Sequence, residues 1–238
     1  MGERLVQIGV IVVAAGRGRR MGADRNKVLL PLRHKPILMY TLERLLKTPN
    51  LLEVAVVYHP DDRAEMETII RDLGSNIPIQ LVAGGEERQD SVYQGLKKLD
   101  TRCDVVFIHD GARPFVSVEA LQRLSMRMEE IQGAVLGVPV KDTIKEVDEA
   151  GVITGTLPRS SLYAIQTPQA FRRELLLEAY EKAMERGFYA TDDAALVEQL
   201  CVPVEIVMGE YTNIKVTTPD DLWYADQLIQ QMQMGEGN

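Results

Sequence analysis

The sequence predicts an α/β layer fold with a mostly parallel sheet. Three observations carry the prediction. Short β-branched runs alternate with helical patterns, and the connections between them are brief. The chain has 238 residues, 45% of them hydrophobic and 26% charged, enough to bury a full core without staples. Residues 6–13 form an apolar run, broken only by Gln7, that leads into small residues, the mark of a strand buried on both faces. Over 36–47, Ile37, Leu38, Thr41, Leu42, Leu45 and Leu46 share one helical face. A strand over 53–58, a helix over 61–73 and a strand over 77–82 follow. The loop GGEERQDS leads into a helix from about Ser91 to Leu99, and 104–109 is the next strand. After the turn GARPF, Ser117 is a natural N-cap for a helix from Val118, and 134–140 is a strand.

The rhythm breaks after Val140. Segments 143–147 and 152–156 lean to β structure and flank the turn residues Asp148, Glu149, Ala150 and Gly151, which predicts a hairpin. A hairpin with few large apolar residues is marginal in water, so it packs on the body of the protein or on a second copy of the chain. Helical pattern returns over 172–186 and 192–200, with Thr191 able to cap the second segment, and 204–208 is strand-like. The last helix opens on TTPDDL, with Thr218 as cap, Pro219 in the first position and Asp220 and Asp221 at the positive end of the dipole. The tail 235–238 is expected to be disordered.

Composition narrows the function. There are 27 Lys and Arg against 35 Asp and Glu, a net charge of −8. A sheath for DNA or RNA should be basic, because phosphate contacts supply most of that affinity. No apolar run approaches the roughly 18 residues of a membrane span, and the N-terminus lacks a signal peptide's long apolar centre. Cys103 and Cys201 are too few for a disulfide framework or a thiolate zinc site. The expectation is a cytoplasmic protein with neither nucleic acid nor membrane as partner.

Four constellations could carry chemistry. Directly after the first strand, Ala14, Ala15, Gly16 and Gly18 make a loop whose N–H groups can approach a phosphate. The loop is neither a dinucleotide fingerprint, since Met21 stands at the third glycine position, nor a P-loop, since Gly-Lys-Ser/Thr is absent. It carries Arg17, Arg19, Arg20, Arg25 and Lys27 against one acid, Asp24, which on an acidic background favours an anion site. In GGEERQDSV, paired glycines allow main chain to approach a flat ring. In HDGARP, Asp110 ends a parallel strand, where open α/β sheets bind ligands, and could hold a ribose hydroxyl or Mg²⁺. Thr143, Arg159, Thr167 and Lys215 lie at strand or turn edges. A nucleophile triad is absent.

Together AAGRGRRMG, DRNKVLLPL, GGEERQDSV, HDGARP, PVKDTIK, TPQ, ATDDA and NIKVTTPDDL resemble, in order and over about 6–228, the 2-C-methyl-D-erythritol 4-phosphate cytidylyltransferase family. The resemblance implies a single Rossmann-like nucleotidyltransferase domain, 1–238, with a protruding β-arm at about 141–159 that reaches across a homodimer. It implies CTP and a polyol phosphate as substrates and a divalent cation, Mg²⁺, at Asp110. The phosphate would attack the α-phosphorus of CTP and release pyrophosphate. By match to the motifs, Arg20 and Lys27 would stabilise charge at the α-phosphate. Ala14, Ala15, Gly16, Gly85, Glu86, Ser91, Asp110 and Gly111 would line the CTP site. Arg159 and Lys215 would position the sugar phosphate, helped by Thr143 and Thr167, with Arg113 serving the neighbouring subunit. Two alternatives remain open: transfer to another polyol phosphate such as ribitol 5-phosphate, and a non-catalytic nucleotide-sensing module on the same fold.

Overall fold

The N-terminal apolar run becomes β1 (Ile8–Ala14), with Val10, Ile11 and Val12 fully buried. The computed structural model describes residues 5–16 and 26–235. The arginine-rich segment 17–25 and the tail beyond 235 lie outside the described residues. A small antiparallel pair that the sequence pattern did not predict, β2 (Pro31–Leu32) and β3 (Lys35–Pro36), leads into α1 (Ile37–Leu45). Then come β4 (Leu51–Tyr58), α2 (Arg63–Leu73), β5 (Ile79–Ala83), α3 (Arg88–Lys98), β6 (Val105–Asp110), α4 (Val118–Arg127) and β7 (Gly133–Pro139). The predicted hairpin is β8 (Lys145–Val147) with β9 (Ile153–Thr156), a sheet of its own. The chain closes with β10 (Tyr163–Arg172), α5 (Arg173–Glu185), α6 (Asp193–Glu198), β11 (Glu205–Met208) and α7 (Pro219–Gly235).

The main sheet runs β11-β7-β10-β6-β1-β4-β5. Every pairing in it is parallel except those of β10, which runs antiparallel to both β6 and β7. Alternation along the strands sorts side chains to the two faces. Val10, Val12, Val54, Val56 and Phe107 meet α1, α2 and α4 on one side. Ile11, Ala55, Val57, Val106 and Ile108 meet α3, α5 and α6 on the other. A third cluster seats α7 through Ala225, Leu228 and Ile229 against Leu32, Ile37 and Phe115. The predicted α/β layers are therefore present, with helices on both faces.

Three local expectations change. Helix α3 starts at Arg88, ahead of Ser91, because Glu87 and Asp90 close a capping box across its first turn. Asp192, not Thr191, caps α6, its side chain accepting from the Ala195 N–H. Strand β10 was not foreseen, because YAIQTPQAFR carries no strand periodicity. Its polar residues Gln166, Thr167 and Gln169 are nevertheless buried. Pro168 cannot donate to a ladder, and the pairing with β7 is interrupted between Ile165 and Gln169. The cap expected at α7 is present: Thr218 Oγ1 accepts from the Asp221 N–H, and Asp221 accepts from Thr217 and Thr218.

Candidate nucleotide site

Parallel strands end together, and the loops that follow β1, β4, β5 and β6 surround a cavity of about 810 Å³. This is the edge where open α/β sheets bind ligands. Ala15 and Gly16 line it after β1, Gly84 and Gly85 after β5, and Asp110 after β6. Glycine is required at two of these positions. A Cβ at Gly84 would fall 2.8 Å from the Ala15 Cβ and 2.9 Å from Ser91 Oγ, and one at Gly85 would fall 2.5 Å from the Asp90 Cβ. The Gly85 N–H donates to Ser91 Oγ at 3.1 Å, which fastens the loop to the first turn of α3. The wall there is main chain, as a flat ring would need.

Lys27 opens a single 3-10 turn, Lys27–Leu29, and lines the cavity. Asn26 sets that turn in place. Its Oδ1 accepts from the Val28 N–H, and its Nδ2 donates to the Ala14 carbonyl at 2.6 Å and to Asp62 Oδ2 at 2.8 Å. The buried amide of Asn26 therefore ties a cation to the end of β1.

Asp110 is the electrostatic hub. Lys215 Nζ lies 2.7 Å from its Oδ2, Arg113 Nε 3.6 Å from the same oxygen, and Arg88 Nε 3.9 Å from Oδ1. Burial alone would raise the carboxyl pKa, but Lys215 and Arg88 outweigh it and hold the group at about 2. Arg88 is fixed from behind by a two-pronged bond to fully buried Asp193, at 3.1 and 2.6 Å. The Tyr180 hydroxyl donates to Asp193 Oδ1. Burial first, then the Asp193 charge, pushes the Tyr180 pKa well above its ordinary value. An anion entering this cavity meets Arg88 and Lys215 on one carboxylate and Lys27 at the side.

Of the residues singled out from sequence, the fold brings Ala15, Gly16, Lys27, Gly85, Glu86, Ser91, Asp110 and Lys215 to the cavity. Others lie elsewhere. Ala14 faces the core, its carbonyl taken by Asn26. Gly111 points at Leu38 and the Val13 carbonyl, a tight core contact where a Cβ would sit 3.1 Å from that oxygen. Thr167 is buried, and its hydroxyl is committed to the Asp110 N–H at 3.0 Å and to His109 Nδ1 at 3.1 Å. Arg113 is held within its own chain, donating to the Asn213 carbonyl at 2.8 Å. Thr143 and Arg159 are exposed on the arm, Arg159 donating to the Lys141 carbonyl. Arg20 lies outside the described residues.

Sequence reasoning did not single out Asn26, Arg88 or Asp193. The signal was available: Arg88 stands inside GGEERQDS and Asp193 inside ATDDA, two motifs whose partnership only the fold reveals. For a divalent cation, the described residues offer no convergence of three His, Cys, Asp or Glu side chains. The carboxylates that line the cavity are Glu86, Glu87 and Asp110, and of these Asp110 is paired with Lys215 at 2.7 Å.

A family model for 2-C-methyl-D-erythritol 4-phosphate cytidylyltransferase matches residues 8–231. The protein of that name from Microcystis aeruginosa is 43% identical over 222 residues, covering 93% of this chain and 98% of its own. The one from Bacillus pumilus is 45% identical over 221 residues, covering 92% and 96%. The crystal structure of 4-diphosphocytidyl-2C-methyl-D-erythritol synthase from Anaerococcus prevotii superposes with a TM-score of 0.85 at 31% identity, covering 95% of this chain and all of that one. With a match of that extent in both sequence and structure, the chain belongs to the 2-C-methyl-D-erythritol 4-phosphate cytidylyltransferase family.

Proposed function

We propose that the cavity binds CTP and that the chain transfers its cytidylyl group to 2-C-methyl-D-erythritol 4-phosphate. A phosphate oxygen of the polyol attacks the α-phosphorus of CTP. A new P–O bond forms as the bond to the bridging oxygen breaks, and pyrophosphate leaves with the electron pair. The products are 4-diphosphocytidyl-2-C-methylerythritol and pyrophosphate. The observation that carries this reading is the pairing, in one cavity, of a glycine main-chain wall with the Lys27, Arg88 and Lys215 cations. Such a transfer is mostly positioning and charge stabilisation, and it needs no covalent intermediate.

In this reading Gly84 and Gly85 admit the base, and Lys27, with Arg20 of the neighbouring segment, neutralises charge developing at the α-phosphate. Lys215 turns from Asp110 toward the attacking phosphate. A divalent cation would enter with the triphosphate, reached from the protein by Asp110, and would supply further charge neutralisation. Thr143 and Arg159 reach an active site by crossing to a second copy of the chain. Support for that crossing comes from the arm and the sheet edge beside it. Val147, Val152 and Ile153 are 58–60% exposed. Ile165 and Ile206, which both flank Gly137, are also open to solvent. Exchange of an arm across a two-fold axis would cover this apolar surface and complete the site at once.

The test is pyrophosphate release with CTP and a panel of polyol phosphates. Turnover with methylerythritol phosphate well above that with ribitol 5-phosphate is expected. The reverse order, or CTP binding without release, would favour the other polyol or a sensing role. Sedimentation at micromolar concentration checks the arm: a fully active monomer refutes the crossing.

A further inference from the structure

His109 is fully buried on β6, one residue before Asp110, and the reaction as described gives it no task. Its partners fix its chemical form. Nε2 lies 3.0 Å from the Arg113 carbonyl oxygen, which can only accept, so Nε2 carries the hydrogen. The other ring nitrogen, Nδ1, meets only the neutral Thr167 hydroxyl, and a fully buried ring with no carboxylate in hydrogen-bond contact is held uncharged. Nδ1 is then bare and can only accept. The Thr167 hydroxyl, 3.1 Å away, must donate to it, which leaves the hydroxyl oxygen to accept the Asp110 N–H at 3.0 Å. One directed chain results, from the Asp110 N–H through the Thr167 hydroxyl to His109 Nδ1. A second bond runs from His109 Nε2–H to the Arg113 carbonyl.

The rest of the frame hangs on those two bonds. The Arg113 guanidinium donates to the Asn213 carbonyl at 2.8 Å, and Asn213 Nδ2 donates to the Thr167 carbonyl at 2.9 Å. The Val216 N–H donates to the Ala112 carbonyl at 2.8 Å. Lys215 stands between Asn213 and Val216, with its ammonium 2.7 Å from Asp110. Both members of that pair are thus carried on backbone that His109 and Thr167 clamp from inside, and neither clamp residue lines the cavity.

We propose that His109, as the neutral tautomer protonated on Nε2, is a positioning residue that sets the Lys215–Asp110 pair for transfer, with Thr167 as the link between ring and strand. The proposal rests on the transferase reading and adds a residue that touches no substrate. A misplacement of about 1 Å costs on the order of 10²-fold in rate. His109→Leu should therefore lower kcat roughly 10- to 100-fold while CTP affinity stays within about twofold, the nucleotide wall being built by Gly84 and Gly85. His109→Gln, which can still donate to the Arg113 carbonyl, should recover most of the loss. Thr167→Ser should retain turnover and Thr167→Val should not. ¹⁵N spectra of the wild-type imidazole at pH 7 need no variant: Nε2 should be protonated and Nδ1 bare. A ring protonated on Nδ1, a charged ring, or a folded Leu variant with wild-type turnover overturns the proposal, as does a Gln variant no better than Leu. A wild-type chain that binds CTP but releases no pyrophosphate fails the transferase reading instead, whatever its tautomer.

Discussion

The floor of the cavity and the arm are built on opposite terms. Asp110 is 7% exposed and meets cations from α3, from its own turn and from the segment before α7. Residues 141–154 are all exposed, and the side-chain bonds of the arm, Lys145 to Thr156 and Arg159 to the Lys141 carbonyl, stay within it. The floor is over-determined by its own chain, whereas among the described residues the arm is tied to itself and, at its base, to the body through Lys141 over the Tyr211 ring at 3.6 Å. In the proposed reading the nucleotide end of the site is set by folding of one chain, and the sugar-phosphate end is completed by the arm of a second copy.

Four measurements press on that contrast. Asp110→Asn removes the carboxylate that three cations share, and breaking a buried pair of this kind costs about 3–5 kcal/mol. Urea unfolding should show a loss of that order, and a loss below about 0.5 kcal/mol would mean the floor is not cross-linked by charge. Lys27→Ala comes next. A cation aimed at transition-state charge is worth about 2.7–4 kcal/mol, so turnover should fall 10²- to 10³-fold with little change in CTP affinity. A collapse of affinity at normal turnover would assign Lys27 to ground-state binding.

The third is a pH effect with a definite sign. His109 sits at about 4 in the fold against an ordinary 6.5, burial being the main cause and Asp110 and Arg113 its charged neighbours. Between those values the unfolded chain binds a proton that the folded chain refuses. Stability contributed by the neutral ring is therefore complete above pH 6.5 and is lost as pH falls toward 4, about 3 kcal/mol in all. His109→Gln should flatten that part of the stability curve, and an unchanged slope would remove His109 as its source. The smallest effect belongs to the arm. Arg159→Ala should leave stability within about 0.5 kcal/mol and CTP binding intact, while raising the KM for the polyol phosphate. Calorimetry showing weakened CTP binding would move Arg159 to the nucleotide.

Much of this was legible in the sequence because it rests on local rules. Apolar runs specified β1, β4, β6 and β7, Ser117 and Thr218 announced their helices, and paired glycines marked a close main-chain approach. What was hidden depends on contacts far apart in sequence. Strand β10 carries buried amides and a proline where a strand should show β-branched residues, and its polar groups are satisfied by partners such as Asp192, Glu210 and Asn213. Thr167 enters as a substrate contact only through the resemblance, and the sequence gives no sign that its hydroxyl bonds the Asp110 N–H and His109. Asn26 has no local signature as a buried amide, and Asp193 stands in ATDDA, whose link to Arg88 only the fold reveals.

The place of β10 in the sheet also sets a schedule. Strands β6 and β7 are consecutive parallel strands, yet they are kept apart by a strand made later. On a ribosome the half containing β5, β4, β1 and β6 emerges first, with one flank of β6 lacking its permanent neighbour. Residues 111–172 follow at roughly 5–20 residues/s, so that edge, the backbone of Val105 to Ile108 that β10 pairs, waits about 3–12 s for its partner. An edge of unpaired backbone groups recruits other chains. The interval before β10 arrives is therefore when the nascent protein is most open to aggregation, and slowing translation over 111–172 should lower soluble yield more than slowing it anywhere after Arg172.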